Sequence, residues 1–268
     1  MSRLVGSELL KLRTTRLTYG LLAAAIGLSL LFSSMGAIRA GAGSIPPLST
    51  AAGLDAVTTV VGFALLLALV LGVTVSSGEF RHGTATLTFL ATPKRTKVLA
   101  AKALAATVAG AVFGLAGGIT SAAVGLVFVA VKRDHVTVGS AALLGHIAGA
   151  SLAAALLAAV GVGVGSLVRG QLGAVIGVFV WAVLGVFVWA VLGESVLGGI
   201  YPSVGRYLPF TTAATLAGSK IGGAFYAAGR SLSGPGQLPF AAAAALVAAV
   251  AVLASIVAAG TTLSRDIT

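Results

Sequence analysis

The chain has 268 residues, of which 58% are hydrophobic and only 9% charged, with 17 basic and 6 acidic side chains giving a net charge of +11. Soluble proteins carry about 45–50% apolar and about 25% charged residues, so this composition excludes a soluble enzyme, and its apolar richness excludes a disordered chain. No cysteine is present, which rules out disulfides, iron–sulfur clusters and thiolate zinc sites. The class that remains is an all-α, polytopic membrane protein forming one transmembrane domain over 1–268.

Residues 2–16 (SRLVGSELLKLRTTR) set Leu4, Val5, Leu9 and Leu12 at helical spacing, with Arg3, Ser7, Lys11 and Thr14 on the other side. This pattern predicts an amphipathic helix lying on an anionic leaflet. A helix needs about 20 apolar residues to cross about 30 Å of hydrocarbon. Six stretches meet that length: 17–38, 56–77, 98–131, 141–168, 172–193 and 238–262. The first is too long for the apolar part of a cleaved signal peptide, so it is expected to be a retained span. The third is too long to stand upright and must tilt, kink near Gly117–Gly118, or project from the membrane.

Between the spans, residues 39–55 are Gly-, Pro- and Ser-rich and form a plain connector. Residues 78–97 (GEFRHGTATLTFLATPKRTK) are polar, and Thr84 can cap a short helix to about Ala91. Thr92-Pro93 is then a second helix start, with Thr at the N-cap and Pro at N1. In the fifth stretch GVFVWAVL occurs at 177–184 and again at 185–192. Eight residues turn a helix by about 800°, so the copies do not share a face. Residues 194–237 mix apolar pieces with Pro202, Pro209 and Pro235, which suggests short interfacial or re-entrant helices stacked on the bundle.

Basic residues favour the cytoplasmic side. With the N-terminus inside, 11 basic and 3 acidic residues fall on the inner side, and 6 basic and 3 acidic on the outer. Both termini are therefore expected in the cytoplasm. Lys132 and Arg133, on the outer side, are the weakest part of that count.

No phosphate-binding loop G-x-x-x-x-G-K-[ST] is present, nor H-E-x-x-H or G-x-S-x-G. His82, His135 and His146 fall in separate segments, so no metal site is expected. His146 is the one intramembrane histidine, and packing is its simplest role, as it is for Trp181. G-x-x-x-G pairs such as Gly110–Gly114, Gly145–Gly149 and Gly173–Gly177 occur at about the frequency that 37 glycines give by chance. They allow close helix approach without defining a dimer motif. Ion-coupled carriers usually hold an acidic or His residue within their spans. The near absence of such groups implies that uphill transport would draw its energy from another chain.

The segment GEFRHGTATLTFLATPKRTKVLAAK (78–102) resembles the first cytoplasmic loop of ABC type-2 permeases. SELLKLRTTR (7–16) is similar to that family's N-terminal amphipathic helix, and LSRDIT (263–268) to its short cytoplasmic tail. The resemblance implies the transmembrane subunit of a bacterial exporter in the cell membrane, paired with a second permease copy as a homodimer and with two cytoplasmic ATPase subunits. ATP and Mg would be bound by those ATPases, with no cofactor, metal or nucleic acid on this chain. The resemblance also makes 84–91 a coupling helix. Leu87 and Phe89 would enter a cleft of the ATPase, Glu79 and Arg81 would meet its rim, and Phe80, His82, Gly83 and Thr84 would complete the contact.

By the same analogy, spans one, two and five line a path, walled here by apolar residues with Ser29, Ser33, Thr58, Thr59 and Thr74. An amphiphilic or hydrophobic cargo is expected. Two other classes compete: a membrane scaffold or assembly factor that tethers a cytoplasmic partner, and an ion-coupled secondary carrier.

Overall fold

A computed structural model describes residues 1–42, 46–50, 53, 57, 62–81, 95–132, 139–167, 200–218 and 238–261. Every regular element among the described residues is helical: α1 (Ser2–Thr14), α2 (Arg16–Arg39), α3 (Gly62–Arg81), α4 (Arg95–Lys132), α5 (Ser140–Leu167), α6 (Pro202–Gly205), α7 (Pro209–Leu216) and α8 (Phe240–Thr261). α2, α4, α5 and α8 are each long and apolar enough to cross a membrane, and α3 carries a shorter apolar run over Gly62–Gly78. The expected first, third, fourth and sixth spans correspond to α2, α4, α5 and α8. The second is shorter where it is described, and 172–193 lies outside the described residues. α4 is helical without a break through Gly117–Gly118. Its 38 residues amount to about 57 Å at 1.5 Å per residue, well beyond the hydrocarbon thickness, so without a break there tilt or projection is what accommodates its length.

α5 is the centre of the bundle. Its most apolar window is 61% buried, against 17% for α8 and 22% for α2. Its sequence explains this position, because it is built largely of Ala and Gly, and Ala153, Ala154, Ala158 and Val162 are fully buried. Lipid is as apolar as Leu, so membrane helices associate through close packing instead of water exclusion, and small residues bring backbones together.

The contacts are backbone to backbone on two sides. Towards α4, a Cβ on Gly110 would lie 2.5 Å from the Ala154 carbonyl oxygen and one on Gly114 would strike that of Ala150. The paired positions run in opposite directions along the chain, so α4 and α5 are antiparallel. Towards α3, Cβ atoms on Gly72 and Gly161 would strike the Ala158 and Leu69 carbonyls, and one on Gly165 would lie 2.5 Å from that of Val73. α3 and α5 are therefore parallel, and near their ends the hydroxyls of Ser76 and Ser166 share a hydrogen bond.

Residues 200–218 form two short helices, each with Pro in its first turn, where the missing N–H costs nothing. α7 packs on the first part of α5, and a Cβ at Gly149 would strike the Leu216 carbonyl. Just past α7, Gly218 has φ +84°, the left-handed conformation that ends helices and favours Gly. The ring of half-buried His146 lies against it, with Cδ2 2.5 Å from where a Gly218 Cβ would stand. His146 thus packs under the α7 turn. Trp181 lies outside the described residues.

Introducing a side chain at a backbone contact overpacks the core, at a cost of about 1–3 kcal/mol or more. Gly114→Leu and Gly161→Leu should each lower the melting temperature of the detergent-solubilised protein sharply or abolish monodisperse elution. Gly145→Leu, which meets nothing within 4 Å, should leave both near the parent.

Candidate functional site

The chemistry-bearing groups of the described residues gather where α1 meets α4. The buried side of α1 comprises Leu4, Val5, Glu8, Leu9 and Leu12. Leu12 belongs to the main core and Leu9 packs against it. Part of this apolar side therefore rests on protein. Glu8 sits in the middle of it and is only 5% exposed. Lys102, also 5% exposed, donates from Nζ to Glu8 Oε2 at 3.0 Å, and Lys11 donates to Oε1 at 2.6 Å. Each carboxylate oxygen thus meets a cation. A buried ion pair adds little net stability over an apolar pair, yet removing one partner strands a charge and costs about 3–5 kcal/mol. The pair thus ties α1 to α4.

The joint with α2 is built to turn. Thr15 is extended, with φ −85° and ψ 120°, and separates the two helices. The last carbonyls of a helix lack intrahelical partners. Here Thr14 Oγ1 donates to Leu10 O at 3.0 Å, Thr15 Oγ1 to Lys11 O at 2.6 Å, and Tyr19 Oη to Arg13 O at 2.8 Å.

Two further polar contacts join α2 to α4 along their length. Ser33 Oγ donates to Ser121 Oγ at 3.0 Å, with all of both side chains buried. At the far end Lys132 Nζ donates to Ala37 O at 2.9 Å and Ala40 O at 3.0 Å, placing a cation on the negative end of the α2 dipole. α2 and α4 are thus parallel.

Among the predicted path residues, Ser29 and Ser33 occupy one buried stripe of α2 with Ala25 and Ala37. Ser29 Oγ has no hydrogen-bond partner. Thr74 is buried in α3 and donates to Leu71 O at 2.8 Å. The three hydroxyls are covered by protein in this arrangement, and Thr58 and Thr59 lie outside the described residues. Of the predicted ATPase-contact residues, Glu79, Phe80 and Arg81 form the end of α3. His82, Gly83, Thr84, Leu87 and Phe89 lie outside the described residues. Among the described residues no cluster of three His, Asp or Glu could hold a metal.

The sequence pattern did not single out Glu8, Lys102 or Ser121. A signal existed for the first two. Glu8 is four residues from both Leu4 and Leu12, hence on their face, and Lys102 is the lone charge within the apolar run 98–131. Ser121 carries no signal without knowledge of which helices are neighbours.

These features define a helical, multi-pass membrane protein with an amphipathic N-terminal helix docked on its longest span. No protein-family model matches the chain, and no curated protein matches it.

Glu8→Gln removes the carboxylate shared by both lysines, whereas Lys102→Arg keeps a cation there. Limited trypsin digestion should cut at Arg13 and Arg16 faster in Glu8→Gln, reflecting the loss of about 3–5 kcal/mol of docking, and near the parent rate in Lys102→Arg.

Proposed function

We propose that the chain is the permease subunit of an ATP-driven ABC exporter, working as a homodimer with two separate ATPase subunits in a bacterial cell membrane. One arrangement supports this reading most. α3 ends at Arg81 and α4 begins at Arg95 at the same end of the bundle, which is also the end where α1 docks through Glu8 and Lys102. The segment that resembles a coupling loop is thus flanked by two packed helices, with the helix that resembles the family's N-terminal one beside it. An ATPase seated against this end would push on α4 directly.

Six crossings and cytoplasmic termini belong to the same reading. The chain leaves α5 at one end of the bundle and α7 packs near the other, so a crossing by 172–193 accounts for the return. The energy source fits as well: among the described residues the one close Glu–Lys cluster sits at the α1 joint, with no acidic side chain in the apolar parts of α2, α4, α5 and α8 to bind a driving ion. ATP binding on the partner would draw the coupling segments together and switch access to a path for an amphiphilic or hydrophobic cargo.

A tagged chain should co-purify with the ATPase encoded beside it, and Leu87→Asp should abolish that complex while leaving the elution profile of the permease unchanged. Absence of any nucleotide-binding partner, or a complex insensitive to Leu87→Asp, counts against the exporter reading or the assigned contact respectively.

A further inference from the structure

α2 is a peripheral helix, packed on the bundle along one buried stripe of Ala25, Ser29, Ser33 and Ala37. Its apolar window is only 22% buried, and Leu30, Leu31, Met35 and Ile38 on it are exposed. It has none of the backbone-to-backbone glycine contacts that knit α3, α4 and α5: a Cβ on Gly20 or Gly27 meets nothing within 4 Å, and one on Gly36 makes an ordinary contact at 3.7 Å. Against α3 it has the Phe32–Phe63 ring stack at 4.4 Å, and Ser33 Oγ also lies 3.3 Å from the Val57 carbonyl; its polar links to another long helix go to α4. The α1–α2 unit is held to α4 at three heights: through Glu8 and Lys102 at one end, through Ser33 and Ser121 in the middle, and through Lys132 on the Ala37 and Ala40 carbonyls at the other. In sequence, Lys102 and Lys132 stand 30 residues apart on one unbroken helix, about 45 Å at 1.5 Å per residue.

We propose that these three polar contacts clasp α1, α2 and α4 into one rigid body, with Glu8, Lys102 and Lys132 as its positioning residues. Apolar contacts between membrane helices are non-directional and leave tilt and register open. Polar contacts are directional, and water has no ready access to take a partner's place at buried Glu8, Lys102, Ser33 and Ser121, while exposed Lys132 holds the far end by two directed bonds. Two anchors near opposite ends therefore fix both the tilt and the register of α2, and the serine pair fixes its rotation. Losing the Lys132 anchor frees the far end of α2, and losing the Glu8 anchor frees α1 about the extended Thr15. In combination with the exporter reading, on which this consequence rests, a displacement at the start of α4 reaches the far end of α2 without passing through α3, which lies between them in the chain.

The chain has no cysteine, so paired nitroxide labels can be introduced without altering the parent. One pair, Leu10→Cys with Val112→Cys, reports α1 against α4. A second, Ile38→Cys with Val112→Cys, reports the far end of α2 against α4; all three positions are exposed. In lipid nanodiscs, with no ATPase present, pulsed electron–electron resonance should give a single narrow distance distribution for each pair. Glu8→Gln should broaden the first distribution about twofold, and Lys132→Gln the second, as each freed segment samples several tilts. Lys132→Arg, which keeps a charged donor, should restore the narrow second distribution.

Broad distributions in the parent overturn the clasp, as do distributions that neither substitution changes. Should Glu8→Gln fail to yield folded protein, Lys132→Gln and Lys132→Arg decide alone. Because the readout needs neither ATP nor cargo, loss of the exporter reading leaves this result standing, and a failed clasp leaves the exporter reading to its own test.

Discussion

Close approach of backbones around α5 is the contact on which the other helices depend. In hydrocarbon there is no gain from hiding apolar surface, so the bundle must be held by surface fit. Alanine and glycine along α5 supply that fit on two sides at once, against α4 through Gly110 and Gly114 and against α3 through Gly72, Gly161 and Gly165. The same choice fixes direction: α4 runs against α5 and α3 runs with it. The rest of the described bundle is arranged around this trio, with α7 on Gly149 and α8 reaching Gly163, where a Cβ would lie 2.6 Å from that of Ala254.

Polar groups play the opposite part. Among the described residues most side-chain hydrogen bonds within the long helices close onto a backbone carbonyl one turn earlier, as those of Thr107, Thr120 and Ser255 do. The exceptions link separate helices, and they concentrate between the N-terminal unit and α4. Packing by small residues and pairing by polar ones thus divide the molecule: one makes a tight interior, the other attaches an outlying helix to it. Such a division suits a protein in which the interior keeps its shape while an attached element transmits position.

Much of the fold was legible in the sequence. Low charge and long apolar runs gave the class, and the boundaries of α2, α4, α5 and α8 follow from length alone. What packs on the apolar stripe of α1 was less so, because such a stripe does not say whether lipid or protein will lie against it. Glu8 within that stripe was the clue that protein does, since a carboxylate facing lipid tails has no partner there. The glycine pairs show the same limit. Gly110–Gly114 is a backbone contact at both positions, whereas in Gly145–Gly149 only the second is. Spacing is shared; the difference lies in which neighbour stands opposite. Ser29 and Ser33, assigned to a path by analogy, lie on a buried stripe of α2 with Ala25 and Ala37, a placement that hydroxyls one turn apart on an apolar helix do not announce.

Lys132 carries a last consequence. In a tally of basic residues by side it stands as a contradiction, a positive charge away from the face richest in Lys and Arg. Bound to the Ala37 and Ala40 carbonyls, its ammonium instead caps the end of another helix, two of its three donors spent on backbone. Its place away from the basic face thus has a structural reason of its own, a helix end that needs a cation.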